Sequence, residues 1–162
     1  MALPMYLTLK GSKQGEVKGG VTQKGREHSI LVIAASHNII SPRDAATGLP
    51  TGKRQHKPFC ITKTLDQATP LLYNMLANNE NITEWRLEYW QSQPRVRERL
   101  VYAVRLTNAS IASIHHRVEN VDNPETVRLP AMEDIEFCYQ KIEWTWVDGS
   151  ITAMDDWETP MV

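Results

Sequence analysis

Apolar residues in this chain recur at every second position in segment after segment, a period satisfied by strands with one buried face. Met5, Leu7 and Leu9 alternate with Tyr6, Thr8 and Lys10, and Trp85, Leu87 and Tyr89 alternate with Glu84, Arg86 and Glu88. Leu100, Tyr102, Val104 and Leu106 alternate in turn with Arg99, Val101, Ala103 and Arg105. A run from His28 to Ile40, dense in Ile, Leu and Val, predicts a longer strand, and Phe59 with Ile61 predicts another. Asn108 marks a hairpin turn into a strand over 111–118. Near the end the phase slips: Ile135, Phe137 and Tyr139 hold odd positions, Ile142, Trp144 and Trp146 even ones. A regular strand cannot change phase without turning its apolar set outward, so a bulge or bend is expected at Gln140-Lys141.

One segment breaks the period of two. Ala68, Leu71, Leu72, Met75 and Leu76 follow the stripe of an amphipathic helix, and Thr69-Pro70 is a start signal, because Pro in the first turn forfeits only an N–H without a partner. The spacing predicts a helix over about 69–78 whose core face is Leu72, Met75 and Leu76. Many strands and one helix make the fold mainly β, a barrel or sandwich of two sheets with the helix on one side. No repeat or linker divides the chain, so residues 1–162 are expected to form a single domain. Two stretches lack the alternation. Gly11 to Gly25 is rich in Gly, Lys and Gln, and Ser41 to Pro58 holds three prolines and two glycines, with Arg43, Lys53, Arg54 and Lys57 against the single acid Asp44. Loops beyond about 12–15 residues are uncommon in compact domains and are usually functional or disordered.

Composition narrows the function classes. Eighteen basic against nineteen acidic side chains give a net charge of −1, so no overall field draws the chain to nucleic acid or to an anionic membrane. Arg95, Arg97 and Arg99 near Trp85, Tyr89 and Trp90 suggest an alternative, a small barrel that binds single-stranded nucleic acid through bases stacked on aromatics. The favoured reading puts Trp85 and Tyr89 in the core and pairs the arginines with Glu84 and Glu88. Cys60 and Cys138 are expected to be buried thiols in a reducing compartment. The N-terminus lacks a signal-peptide pattern and no stretch has the length of a membrane span, so synthesis in the cytoplasm and no membrane insertion are expected.

No catalytic, metal or cofactor motif is present. Gly48-Leu49-Pro50-Thr51-Gly52-Lys53-Arg54 falls short of a phosphate loop by one residue and ends in Arg where Ser or Thr would hold a metal. His115 and His116 are adjacent on a strand and point to opposite faces. Asp155-Asp156 before Trp157 reads as a solvated turn beside an apolar anchor. The chain is therefore expected not to be an enzyme.

Thr51-Gly52-Lys53-Arg54-Gln55-His56-Lys57-Pro58, followed by Lys63-Thr64-Leu65-Asp66-Gln67-Ala68-Thr69-Pro70-Leu71-Leu72-Tyr73, resembles the central signature of the haemolysin-coregulated protein (Hcp) family of bacterial type VI secretion systems. Met5-Tyr6-Leu7-Thr8-Leu9-Lys10-Gly11, Tyr139-Gln140-Lys141-Ile142-Glu143-Trp144 and Asp155-Asp156-Trp157 are similar to the family in the same order. The chain departs from it at Gly25-Arg26-Glu27-His28, where a longer stretch is contracted. The resemblance implies a two-sheet β-barrel with one flanking helix, like phage tail-tube proteins, assembled as a six-membered ring. Such rings stack into a tube driven by a contractile sheath behind a spike protein, with effector proteins in the lumen, and the subunit leaves the cell with the machine. Val101 and Trp90, read as outward apolar positions, fit a ring. The 41–58 loop is then expected to be an arm reaching a neighbouring subunit or the next ring, with Leu49 at its tip and Arg43, Asp44, Lys53 and Arg54 setting register.

Overall fold

The computed structural model describes residues 3–158. In chain order the elements are β1 (Met5–Gly11), β2 (Gly15–Val17), β3 (Ile30–Val32), β4 (Ala34–Ser36), β5 (Ile39–Ile40) and β6 (Gln55–His56). They continue with β7 (Phe59–Thr64), α1 (Thr69–Ala77), β8 (Ile82–Gln93), β9 (Val96–Thr107), β10 (Ser110–Arg117), β11 (Met132–Cys138), β12 (Lys141–Trp146) and β13 (Ile151–Asp156). Seven strands form one antiparallel sheet, in the order β13-β12-β9-β8-β1-β2, with β3 also on β1. Four form a second sheet, β10-β11-β7-β4, and β5 pairs with β6 apart from both.

The alternation places the core between the two sheets. Leu7, Leu9, Trp85, Leu87, Val104, Leu106 and Ile142 point inward from the larger sheet, and Phe59, Ile61, Ile135 and Phe137 from the smaller; all are buried. Trp85 stands edge-on between Phe59 and Phe137, with ring centroids 5.1 and 5.4 Å away. These rings also explain why the expected barrel does not close. Stacked sheets stand about 10 Å apart, whereas a ladder needs about 4.8 Å. The seam beside β4 is lined by Tyr89, Tyr102, Trp144, Phe59 and His37, and no strand ladder joins the two sheets there.

The chain instead crosses between sheets at short corners. The phase slip is one of them: β11 ends at Cys138 in the smaller sheet and β12 begins at Lys141 in the larger, so the apolar set changes parity because the core now lies on the strand's other side. Asn108, at φ 49°, makes a second corner and not a hairpin, because β10 pairs with β11 instead of β9. The run from His28 to Ile40 is not one strand: β3 lies on β1, Ile33 N–H donates to the Thr62 carbonyl at 2.8 Å, β4 lies on β7, and β5 leaves both sheets. The 11–25 loop contains β2, which folds back on β1 through Gly15 at φ 70°.

Two surface expectations also change. Val101 is 8% exposed, and the Trp90 ring carries the Arg26 guanidinium 4.3 Å from its centroid, so neither is an open apolar position. Arg26 also covers Tyr6 and pairs with Glu98. Cys60 is half-buried but Cys138 is exposed, since it holds an outward position on β11. No helix among the described residues is long and apolar enough to cross a membrane.

The helix begins where Asp66 Oδ1 accepts the Ala68 N–H at 2.9 Å and Thr69 Oγ1 accepts the Asp66 N–H at 3.1 Å, with Pro70 in the first turn. Leu72 and Met75 are buried, and Leu76 is half-buried against the same core. Beneath this start lies an ion pair. Phe59, Ile61 and Lys63 share the inward face of β7, and Glu133, Ile135 and Phe137 that of β11; Lys63 sits directly opposite Glu133. Both side chains are 0% exposed. The three N–H groups of the ammonium are shared among four acceptors, Glu133, Asp66 Oδ1 at 3.0 Å, Thr69 Oγ1 at 3.1 Å and the Thr64 carbonyl at 2.9 Å.

Removing one partner leaves the other charge buried and uncompensated. Lys63→Met is therefore expected to cost about 3–5 kcal/mol in urea denaturation, whereas the double variant Lys63→Met, Glu133→Leu regains most of that loss. Leu72→Ala is expected to cost about 2–5 kcal/mol, and Leu76→Ala clearly less because that site is only half-buried; equal midpoints for the two would contradict this packing.

Candidate functional site

The segment read as a loop over 41–58 is an ordered hairpin standing off both sheets. Ile39 pairs with His56 and Ile40 with Gln55, and the pairing resumes at Arg43 and Pro50. Thr51 N–H donates to the Pro42 carbonyl at 2.8 Å, Asp44 N–H to the Leu49 carbonyl at 2.9 Å, and Gly48 N–H to the Asp44 carbonyl at 2.9 Å. The Asp44 carboxylate closes the turn by accepting the N–H groups of Thr47 and Ala46, each at 2.8 Å, and these bonds hold its pKa below the usual carboxylate range. Gly48, at φ 72°, supplies the left-handed residue of the turn. Leu49 follows it, 63% exposed at the tip, and Arg43 and Lys53 are exposed beside it.

Arg54 faces the other way, back to the body. Its Nε donates to Asp155 Oδ2 at 2.5 Å, and its Nη2 donates to Asp155 Oδ1 and to the Asp156 carbonyl, both at 2.8 Å. These two parallel bonds fix direction as well as distance. They are the largest reason that the Asp155 pKa lies below the ordinary value, ahead of the opposing effect of burial and the hydrogen bond from His56. His56, its side chain 2% exposed and two positions beyond Arg54, spans 2.7 Å to Asp155 Oδ2 and 2.8 Å to Tyr139 Oη. The same hydroxyl lies 2.6 Å from His37 Nε2. Burial first, then Asp155, pushes the Tyr139 pKa well up, whereas burial and then the charge of His56 push that of His37 down.

Aromatic contacts continue the anchor into the core. Trp157 donates its indole N–H to the Tyr139 carbonyl and stacks on His56 with centroids 6.3 Å apart. His37 stacks on Phe59 at 5.0 Å, and Phe59 meets Trp85. Arm, last strand and core thus share one row of rings. Chemically the row fastens; it does not activate. Tyr139 is 5% exposed, its hydroxyl is taken by two imidazoles, and its proton is harder to remove than in water.

Of the residues singled out in the arm, Leu49, Arg43 and Lys53 face solvent, Asp44 builds the turn, and Arg54 is engaged within the chain. Asp155 and Asp156 are the last residues of β13 and not a solvated turn. His37, His56, Tyr139 and Asp155 were not read as a group. The available signal was Arg54 and His56 two positions apart, with a carboxylate pair elsewhere in the chain. Among the described residues, no cluster of three or more His, Cys, Asp or Glu side chains is arranged to hold a metal ion.

The arginines of the nucleic-acid alternative lie at the far end of the larger sheet. Arg95 occupies the turn between β8 and β9 at φ 71°, and Arg99 donates to Gln91 at 3.2 Å and to Asp148 at 3.5 Å. Glu84 and Glu88 pair instead with Lys10 and Arg86, at 3.5 and 3.7 Å. Trp85 is fully buried and cannot stack on a base, and one face of the half-buried Trp90 is already taken by the Arg26 guanidinium.

Asp155→Asn removes the charge that Arg54 grips while keeping the side chain's shape. It is expected to speed tryptic cleavage at Arg43 and Lys53 by roughly tenfold, with cleavage in β8 and β9 unchanged. A lowered carboxylate pKa contributes stability above its unfolded value of about 3.9 and loses it as pH falls through the native value. Variant and wild type are therefore expected to converge in urea midpoint in strongly acidic solution.

Comparison with known proteins places this geometry. Residues 6–146 match the family described as "Type VI secretion system effector, Hcp". The chain is 33% identical to the "Major exported protein" of Pseudomonas aeruginosa, over 99% of each. Among solved structures it resembles the Hcp1 protein from the E. coli EAEC 042 pathovar, with a TM-score of 0.84 and 30% identity over 96% of this chain and 99% of that one. It also resembles a crystal structure of an Hcp protein, with a TM-score of 0.89 and 25% identity over 98% of this chain and 100% of that one. With sequence and fold matched over nearly its whole length, this mainly β chain belongs to the Hcp family of type VI secretion proteins.

Proposed function

We propose that the chain is a structural subunit of the inner tube of a type VI secretion system, built from one domain over residues 1–162, and that it is not an enzyme. Six copies close into a ring, rings stack into a tube, and a contractile sheath drives the tube outward behind a spike protein with effector proteins in the lumen. Made in the cytoplasm, the subunit leaves with the tube into the medium or a target cell, with no membrane insertion, cofactor or nucleic acid involved.

The observation that carries this reading is the arm. A hairpin with its own hydrogen-bonded turn, a bidentate arginine at its base and a bare leucine at its tip is fixed more firmly than a connection between two strands requires. Leu49 fits a small apolar depression on another subunit, while Arg43 and Lys53 at the rim set register more than affinity. Neighbours within a ring have a second surface to use. β13 is an edge of the larger sheet, and Ile151, Met154 and Trp146 on it and on β12 are 66%, 56% and 49% exposed. An apolar edge with unpaired backbone groups invites another chain. Head-to-tail contacts of this kind close into a ring in one direction and extend into a stack in the other.

Size-exclusion chromatography with light scattering is expected to give the mass of six chains. Ile151→Lys with Met154→Lys should reduce it to one, since each ring contact needs to bury about 1,000 Å² or more. Replacing residues 44–51 with a tight turn should leave the six-chain species intact while electron micrographs lose stacked tubes. Normal tubes from that deletion would refute the role given to the arm.

A further inference from the structure

We propose that His37, Tyr139 and His56 form a proton-counting latch, which fastens the β5–β6 arm to the body near neutral pH and releases it on acidification. The geometry sets the count. Tyr139 Oη lies 2.6 Å from His37 Nε2 and 2.8 Å from His56 Nδ1, and it has no third hydrogen-bond partner among the described residues. A hydroxyl carries one proton, and with these two partners every group is satisfied only when it donates to one nitrogen and accepts from the other. One of the two facing nitrogens must therefore carry a hydrogen and the other must not. On the far side of His56, Nε2 lies 2.7 Å from Asp155 Oδ2, and a carboxylate held ionised by Arg54 can only accept.

These constraints allow both imidazoles to be neutral, or either one to be charged. They do not allow both charges at once. Two imidazolium rings would each point an N–H at the same oxygen, leaving the hydroxyl proton without an acceptor and two cations on either side of one atom. Among the described residues no spare counter-charge is at hand. Asp155 is already bound by Arg54, and the Asp156 side chain is engaged by Gln140 and the Glu158 N–H. Cys138, beside Tyr139, holds its thiol proton more firmly than usual. The small cavity that His37 shares with Phe59, Tyr89, Tyr102 and Trp144 has no carboxylate in its wall. Burial and the neighbouring His56 also lower the pKa of His37, which agrees in direction with the geometry.

The sign follows from linkage. An imidazole in water takes up a proton at about pH 6.5, so once the arm is released and neither ring is bound by this constraint, the open form in acid binds one proton more than the latched form. Opening should then rise by about tenfold per pH unit below pH 6, the slope of a single extra proton. This holds whether or not the arm meets a neighbouring subunit. If it does, contacts through Leu49 become acid-labile, a consequence that rests on the proposed tube role.

Amide hydrogen exchange on the full chain between pH 7.5 and pH 5, corrected for intrinsic rates, tests the latch. The reporters are the β5–β6 ladder and the Lys57 N–H, which donates to the Asn38 carbonyl at 3.0 Å. Their opening is expected to grow about tenfold per unit below pH 6 while the β8–β9 ladder stays protected, and His37→Phe should flatten the response. A flat wild-type profile, arm and core opening together, or an unchanged slope in His37→Phe would each overturn the proposal. Should that variant fail to fold, nitrogen-15 spectra of the wild-type histidines decide. At most one of the pair is expected to be charged while the arm remains protected, and two charges in a protected arm would refute the latch.

Discussion

The smaller sheet is organised around a lysine and a glutamate in direct contact across a ladder. Lys63 and Glu133 hold core positions on adjacent strands, and the same ammonium reaches Asp66 and Thr69, the residues that start the helix. Strand pairing, the turn after β7 and the placement of α1 are thus settled by one charge. An apolar pair would pack as well and tolerate a slipped register, whereas this ion pair forms in one register only. Once it is made, Phe59 and Ile61 on one strand and Ile135 and Phe137 on the other fall into line behind it, and Trp85 has its walls.

That pair also marks the limit of what alternation conveys. The period of two located most strands, and the helical stripe located α1 to within a residue of its end. Both signals come from burial on a single face. Lys63 and Glu133 lie on that face too, but their charge reads as outward in a pattern scored by hydrophobicity. Closure of the sheets was misjudged for a related reason, because periodicity specifies faces, whereas a barrel depends on how edges meet. The parity change at Gln140-Lys141 was visible as a break, although the crossing between sheets that causes it was not.

The arm illustrates the same division. Proline, glycine and one acid told that residues 41–58 carry no core face, and the turn residues Asp44 and Gly48 act as their chemistry demands. The partners that hold the base could not be read locally. β13 escaped notice because Ile151 to Met154 are all exposed and show no buried alternation. Asp155, next to a second aspartate, looked like solvent-facing charge until Arg54 and His56 were brought against it.

The distance along the chain between the two halves of this anchor has a consequence for synthesis. Arg54 and Asp155 are 101 residues apart, and Tyr139 and Trp157 likewise lie far downstream of the arm. A ribosome adding about 5–20 residues per second exposes the arm several seconds before the strand that grips it. During that interval Leu49 sits on a hairpin without a base, so a nascent chain offers its partners no fixed geometry to bind. The long separation thus acts as a timer, keeping a nascent chain from presenting a rigid arm until the strand that grips it has also been made.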